Sequence, residues 1–269
     1  MIALGFNLIY GTAKFFDLGY GALTAVGGYS VFYLYKTLGL DLYLSILLGI
    51  LIAGVVGFVV YKLVYSPLRK RKSSGMVLLV AALGVLTALQ AIIAILFTSQ
   101  FQTLSINAGS ERIFNILGGV ITETQLITLV IGLVIMAIIG LVFRYTLFGK
   151  AVKAIGDDEE VSKIVGINTE NILGWVFLIG SAIGGLAGIL IGFDTGIEPT
   201  MGLSLLLKGV IACIIGGIGN VYGAVIGAFL LAFIENFGIW QISGEWKGAI
   251  AFVVLIIFLL FRPQGILKK

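Results

Sequence analysis

Long apolar stretches follow one another along the chain, separated by short polar or glycine-rich breaks. A helix needs about 20 mainly apolar residues to cross a bilayer, with a range of roughly 17–25. By that criterion the sequence predicts apolar helices over residues 1–13, 19–36, 42–65, 76–98, 121–143, 171–192, 204–218, 220–238 and 248–262. The first is too short to cross alone and is predicted to be a partial or re-entrant element. We expect an all-α, polytopic helical membrane protein with about eight to nine transmembrane elements, in a single domain over residues 1–269.

The composition supports a membrane protein and excludes several kinds of site. Of the 269 residues, 59% are apolar and 11% are charged, whereas a soluble domain carries about 25% charged residues. Histidine is absent, and Cys213 is the one cysteine. Disulfides, Cys/His zinc centres, haem ligation and His-based triads are therefore excluded within the chain, and we expect no metal site. The net charge of +4 is better explained by loop placement than by nucleic-acid binding.

The basic residues are unevenly distributed between the loops. Thirteen of the 17 lysines and arginines lie in the segments 13–18, 62–75, 144–170 and 262–269. Basic loops stay on the cytoplasmic side, so these segments and the C-terminus are predicted to be cytoplasmic and the 99–120 loop to be external. The basic cluster at 66–74 is interpreted as a topology signal rather than a lipid site. The first residues lack a basic segment, so no cleavable signal peptide is expected.

A polar segment interrupts the apolar pattern at residues 149–168, which read Gly-Lys-Ala-Val-Lys-Ala-Ile-Gly-Asp-Asp-Glu-Glu-Val-Ser-Lys-Ile-Val-Gly-Ile-Asn. Four acids lie in the middle of this segment, at the start of the predicted helix, where a helix N-terminus favours negative charge: Asp157, Asp158, Glu159 and Glu160. Asp157 and Glu160 have the spacing of a capping box. The apolar residues at helical spacing are Val161, Ile164 and Val165. We predict one amphipathic helix of about three turns, bounded by Gly156 and Gly166, that contacts a soluble partner. A solvated loop helix without a partner is the alternative.

Glycine is frequent, with 38 residues, and two sets recur at every fourth position. The first set is Gly180, Gly184, Gly188 and Gly192, and the second is Gly219, Gly223 and Gly227. Small residues let helix backbones approach closely in lipid, so both sets are predicted to pack helices together. One interpretation is that the sets face each other, or face a second subunit, along surfaces that slide. The other is static packing within one chain.

Polar side chains inside the apolar runs are candidates for a translocation path. The residues are Asn7, Thr12, Asp17 and Gln90, and Glu198 in the predicted external segment 192–202 is a further candidate. Lys14 and Asp17, three residues apart, have the spacing to form an ion pair across one turn, which would lower the cost of charge in the membrane. Glu235 and Asn236 lie near the outer end of a later helix. Hydrogen bonds between helices explain these residues about as well as a path does.

Four segments, in order along the chain, carry a family pattern. They are 3–11 with 16–29, the polar segment 149–168, the glycine-rich 215–223 (Ile-Gly-Gly-Ile-Gly-Asn-Val-Tyr-Gly), and 261–267 (Phe-Arg-Pro-Gln-Gly-Ile-Leu). Together they resemble the branched-chain amino acid permeases of ABC importers, over essentially the whole chain. In that family the polar segment is the cytoplasmic coupling loop. Two departures are a short first helix and Phe-Asp-Leu-Gly-Tyr-Gly at 16–21, which lacks the family's usual histidine.

The resemblance implies a permease subunit in the plasma membrane of a prokaryote, importing branched-chain or related hydrophobic amino acids by alternating access. The implied partners are a second homologous permease, two ABC ATPase subunits and an extracytoplasmic substrate-binding protein. ATP and Mg²⁺ would be bound by the ATPases, and no Walker-type motif appears in this sequence. The residues implied to contact an ATPase are Gly156, Asp157, Asp158, Glu159, Glu160, Val161, Ile164, Val165 and Gly166.

Other functions remain open from the sequence. Urea or amides are alternative substrates within the same family. A stand-alone secondary transporter or channel would suit a broken first helix and polar groups near the midplane, but it has no need of a structured helix outside the membrane. A structural scaffold leaves the ordered motifs unexplained.

Overall fold

A computed structural model describes residues 1–104, 113–116, 119–240, 243–262 and 264–267, and helices form most of it. The first half contains α1 (Ile2–Ala13), α2 (Gly19–Val31) with a π-helical continuation (Phe32–Thr37), α3 (Leu42–Val60) with a π-helical turn (Tyr61–Tyr65), α4 (Ser66–Lys70) and α5 (Gly75–Phe97). The second half contains α6 (Glu123–Tyr145), α7 (Leu147–Asp157), α8 (Glu159–Ile164), α9 (Thr169–Asp194), α10 (Met201–Gly216), α11 (Val221–Ile239), a 3₁₀ turn (Gly244–Trp246) and α12 (Lys247–Phe261).

The predicted all-α membrane architecture is confirmed. Every predicted apolar segment is helical, and the boundaries agree within about three residues because the apolar runs themselves set them. Among the described residues, six stretches are long and apolar enough to cross a membrane: Leu42–Lys70, Gly75–Phe97, Glu123–Tyr145, Thr169–Asp194, Val221–Gly238 and Gly244–Phe261. The apolar helices α1 and α10 are shorter, as α1 was predicted to be. Aliphatic side chains such as Ile95 and Leu260 are exposed, which suits contact with lipid.

A hairpin in the predicted polar loop was not expected from the sequence. Strands β1 (Ile113–Ile116) and β2 (Gly119–Thr122) pair antiparallel, so α6 begins at Glu123 rather than at residue 121. The turn into α6 is fixed by a capping box between Thr122 and Gln125. Residues 105–112 and 117–118 of the predicted 99–120 loop lie outside the described part of the chain.

α9 is the central helix and packs against α1, α2 and α3. Its four-residue glycine repeat makes these contacts close. A Cβ on Gly188 would lie 1.9 Å from the Thr24 carbonyl oxygen of α2, and one on Gly184 would lie 2.9 Å from the Tyr20 ring. Gly180 meets Ile9 of α1 in the same way, and Gly192 meets Leu104. Backbone approaches of this kind leave no space for any other residue at Gly188.

The second glycine set has different neighbours. A Cβ on Gly227 would lie 2.1 Å from the Ala212 carbonyl oxygen, and one on Gly223 would lie 2.4 Å from the Gly216 carbonyl oxygen, so this set packs α11 on α10. Gly219, before α11, adjoins Gly11 of α1. The two sets therefore do not face each other. Each packs against helices of this chain, which corresponds to the static alternative.

The basic segments meet at one end of the bundle, which we call the basic end. The Arg69 guanidinium donates to the Ala13 carbonyl oxygen at 2.7 Å, joining the end of α4 to the end of α1. The opposite end, which we call the far end, is joined by the backbone: Gln102 and Ile197 exchange hydrogen bonds of 2.9 and 2.7 Å. Lys36 also reaches the Thr103 carbonyl oxygen there. The helices thus run alternately between two chemically distinct ends.

The C-terminal motif has a structural role at the end of α10. The N–H groups of Ile266 and Leu267 donate to the carbonyl oxygens of Ile215 and Gly216, at 2.9 and 3.1 Å. These carbonyls belong to the last turn of a short helix and have no partner within the helix. Gly265 allows the approach because its φ is +76° and a Cβ would lie 2.5 Å from the Gly217 nitrogen. Residues 263, 268 and 269 lie outside the described part of the chain.

Candidate docking site at the basic end

The predicted cytoplasmic helix is in fact a pair of helices, α7 and α8, that follow α6 directly. Thr146 ends α6 and caps α7: its hydroxyl accepts from the Gly149 N–H at 3.0 Å. A Cβ on Gly149 would lie 2.3 Å from the Val142 carbonyl oxygen, so only glycine permits this sharp change of direction. α7 buries Val152, Ile155 and Gly156 against the bundle.

The break between the two helices lies at Asp158. Its φ of −150° is extended, and its side chain accepts from the N–H groups of Glu160 and Val161 at 2.8 and 3.0 Å. The predicted cap at Asp157 was therefore wrong by one residue, since Asp157 is the last residue of α7. The prediction of a single helix bounded by Gly156 was wrong too. Either aspartate could serve as a cap by its chemistry, and the buried face of α7 decides between them.

α8 ends as the sequence predicted. Gly166 has a φ of +87°, its N–H donates to the Lys163 carbonyl oxygen, and the Ile167 N–H donates to the Ser162 carbonyl oxygen. This pair of bonds is a Schellman motif, which requires a left-handed residue that glycine adopts at little cost. The chain then leaves α8 through Asn168, whose side chain caps α9.

Ion pairs fix α8 to the rest of the basic end. The Glu159 carboxylate pairs with the Arg69 guanidinium and, at 2.8 Å, with the Lys163 ammonium. Burial alone raises the pKa of Glu159, but the hydrogen bond from Lys163 and the charge of Arg69 outweigh it, so the pKa lies below the usual glutamate value. Because Arg69 also binds Ala13, it links α8 to α4 and to α1.

A second set of polar contacts joins the start of α9 to α4. The Glu170 carboxylate accepts from the Ser66 hydroxyl at 2.6 Å and pairs with the Lys70 ammonium at 2.7 Å. The cluster at 66–74, predicted to be a topology signal, therefore also anchors the segment around α8. Sequence reasoning missed Arg69 and Glu170 as site residues. No local signal pairs residues about 90 positions apart.

An apolar surface remains on α8 despite these anchors. Val161 is 54% exposed, Ile164 83% and Val165 69%, whereas Ser162 between them is buried and donates to the Asp158 carbonyl oxygen. These three side chains, the α8 apolar face, point away from the bundle, on a helix that Arg69 holds in place. An exposed apolar surface on a fixed helix is typical of a protein interaction site.

The candidate path residues do not form one cluster. Asn7 and Thr12 lie near each other on α1, in a small pocket that Gly156 of α7 also lines. Asn7 donates to the Asn220 carbonyl oxygen at 2.8 Å and accepts from the Gly219 N–H at 2.6 Å, which fixes the turn before α11. The Thr12 hydroxyl donates to the Leu8 carbonyl oxygen within its own helix. Asn7 therefore joins α1 to the turn before α11, and Thr12 bonds within its own helix.

The remaining path candidates lie apart from this pocket. Asp17 is buried, and its carboxylate accepts from the Tyr65 hydroxyl at 2.5 Å, whereas the sequence suggested Lys14 as its partner. Gln90 is half-buried on α5. Glu198 is exposed in the connection between α9 and α10, where its carbonyl oxygen accepts from Met201.

Comparison with known proteins agrees with the motifs. The sequence model of the family described as "Branched-chain amino acid transport system / permease component" matches residues 1–259. The chain belongs to this family. The predicted resemblance is thereby confirmed, and with it the character of the chain as a multi-pass permease component of a transport system.

Relatives of similar length support the assignment. The chain is 29% identical to the high-affinity branched-chain amino acid transport system permease protein BraD of Pseudomonas aeruginosa, over 100% of the chain and 91% of the relative. It is equally similar, over the same shares, to the LivH permease protein of Salmonella typhimurium. The probable LivH of Methanocaldococcus jannaschii is 26% identical over 99% of the chain and 87% of the relative. No solved structure gives a significant match.

Proposed function

We propose that this permease imports branched-chain or related hydrophobic amino acids as part of an ABC importer. Its partners are a second homologous permease, two ABC ATPase subunits that bind ATP and Mg²⁺, and an extracytoplasmic substrate-binding protein. The membrane is the plasma membrane of a prokaryote. The basic end and the C-terminus face the cytoplasm, because the structure gathers the basic segments at that end and basic loops stay inside.

The α8 apolar face is the observation that carries the coupling proposal. It lies at the basic end, where an ATPase would meet the permease, and its three aliphatic side chains suit a groove on the ATPase. α8 is held by Arg69 to α4 and to the end of α1, and Gly149 packs α7 closely on the end of α6. A displacement of α8 would therefore move several helices together. Closure of the ATPases would thus rotate part of the bundle and switch the opening between the two sides.

The far end receives the substrate in this scheme, and the binding protein supplies most of the selectivity. The permease then needs few polar side chains along the path, because it does not have to select the substrate itself. Near α7 and the turn at Asn220, a pocket of about 570 Å³ is lined by Arg144, Lys153 and Tyr222 among others. It lies at the basic end, where substrate would leave.

The test is uptake by the complex reconstituted in vesicles with its partner chains. We expect uptake of labelled leucine, isoleucine and valine that requires ATP inside, the ATPase subunits and the binding protein. Uptake of urea or acetamide in place of the amino acids would favour the alternative substrate class. Uptake by the permease alone, driven by an ion gradient, would favour a stand-alone secondary transporter and contradict the proposal.

A further inference from the structure

Three charged side chains meet inside the half of the bundle nearer the far end. The Glu235 carboxylate of α11 lies with its Oε2 atom 3.3 Å from the Lys208 ammonium of α10 and 4.0 Å from the Lys247 ammonium at the start of α12. Glu235 lies four residues before the end of α11, and Lys208 lies seven residues after the start of α10. At 1.5 Å per residue these positions are about 6 and 10 Å below the helix ends.

Only one oxygen of this carboxylate is satisfied. Glu235 is 4% exposed, and its Oε1 atom is buried without a hydrogen-bond partner among the described residues. A buried carboxylate oxygen without a donor is costly, so such atoms are rare and require an explanation. Lys208 has the opposite character: its side chain is 41% exposed, and an ammonium has three donors. The pair therefore presents one free acceptor and free donors side by side.

Both side chains line a pocket of about 270 Å³ between α1, α6, α9, α10 and α11. The rest of its wall is mainly aliphatic and includes Ala187, Ile191, Leu205 and Leu231. The volume is below the roughly 300–1,000 Å³ that drug-sized ligands occupy, which suits a smaller molecule. The pocket thus combines an acid, a base and an apolar wall at the scale of one amino acid.

We propose that this pocket is a transient binding site for a zwitterionic α-amino acid on its way through the permease. The substrate ammonium donates to Glu235 Oε1, the substrate carboxylate accepts from Lys208, and a branched aliphatic side chain packs on the wall. The substrate carboxylate would replace Glu235 Oε2 as the partner of the Lys208 ammonium. The free-energy cost of this exchange is small, because one charge-assisted hydrogen bond takes the place of another. The binding is weak enough for release, as conduction through several sites requires. This inference rests on the proposed function.

The experiment uses the reconstituted importer and photo-leucine, a leucine analogue with a diazirine in its side chain. After illumination, the labelled peptides of the permease are mapped. We expect label on α10 and α11 that excess leucine removes. Glu235→Gln and Lys208→Gln should each lower this label and leucine uptake by about tenfold or more, the scale of one charge-assisted hydrogen bond.

The matched control is Asn236→Ala, next along the same helix. Asn236 is exposed, and its amide donates to the Ala232 carbonyl oxygen of its own helix. We expect this variant to retain label and uptake. Basal ATPase activity and melting temperature of the complex separate a binding role from a structural one, and in Asn236→Ala both should stay near the wild-type values.

Two outcomes would overturn the inference. One is wild-type labelling of the pocket in Glu235→Gln and Lys208→Gln. The other is a fall in melting temperature and uptake while the folded complex keeps its label, which would make the charges a structural ion-pair cluster only. If Glu235→Gln does not assemble, Lys208→Gln and Glu235→Asp decide the matter, since Asp keeps the charge. Leucine uptake by the wild type upholds the proposed function in either case, and its absence contradicts that function separately.

Discussion

Replacing Ile164 or Val161 by Asp tests whether the α8 apolar face binds an ATPase. Full burial of such side chains contributes about 1.5–3 kcal/mol each. Scaled by their exposed fractions in the free permease, Val161, Ile164 and Val165 together offer roughly 3–6 kcal/mol on docking. Ile164, at 83% exposed, accounts for about 1–2.5 kcal/mol of this. Asp removes that share and adds a carboxylate that must lose water.

The assay is titration of the solubilised permease with its ATPase subunit, followed by uptake in vesicles. Because each 1.4 kcal/mol is about a tenfold change in affinity, Ile164→Asp should weaken binding by roughly tenfold or more. The double variant with Val161→Asp should abolish co-purification. Both changes lie on the solvent-exposed side of α8, so the melting temperature of the permease itself should hardly change.

The matched control is Leu38→Asp, which also removes an exposed aliphatic side chain, 54% exposed, but at the far end. It should leave ATPase binding unchanged. Binding of the ATPase by the double variant at the wild-type affinity would refute a contact through the α8 apolar face. Loss of binding in the control as well would show a general effect of a surface aspartate rather than a specific contact.

Three further predictions concern stability. Gly188→Val should prevent correct folding or lower the free energy of unfolding by about 3 kcal/mol or more, because its Cβ would overlap the Thr24 carbonyl oxygen. Size-exclusion profiles in detergent and melting curves measure this effect. Glu159→Gln should lower stability by roughly 0.5–1 kcal/mol at neutral pH. The folded-state pKa of Glu159 is depressed, so its pairing with Arg69 contributes stability above the ordinary glutamate pKa and is lost as pH falls through the lower folded value; melting temperatures of wild type and variant should converge once the pH is below that folded value. Gly265→Ala should lower the free energy of unfolding by about 1–2 kcal/mol because alanine is disfavoured in the left-handed backbone region, and by more if its Cβ overlaps Gly217. Backbone amides at the end of α10 should then exchange hydrogen faster.

The two glycine sets show what a sequence pattern predicts about helix packing and what it leaves open. The four-residue spacing predicts a smooth helix surface and close packing, and both occur. The spacing does not predict the partner helix. The glycines of α9 pack against α1 and α2, whereas Gly223 and Gly227 of α11 pack against α10. Spacing records only the geometry of its own helix, so it contains no information about which neighbour lies across the contact.

The polar segment 149–168 shows the same division at the candidate site. Its aspartates and Gly166 predict caps and a helix end, because capping depends on local hydrogen bonds. The choice of Asp158 over Asp157 depends on the buried face of α7, which commits Gly156 and Asp157 to that helix. The anchor through Arg69 depends on a residue from the other half of the chain.

The sequence by itself determined the elements of this protein that arise from short-range physics. Apolar run length defined the helices, the distribution of basic residues predicted their orientation, and ordered motifs identified the family. The tertiary structure alone decided the long-range contacts: Arg69 with Glu159, the C-terminal residues that cap α10, and Glu235 with Lys208. The reason is that a membrane removes the hydrophobic effect as a guide to which helices pair. Pairing then depends on shape and on buried polar groups, which exist only once the helices are together.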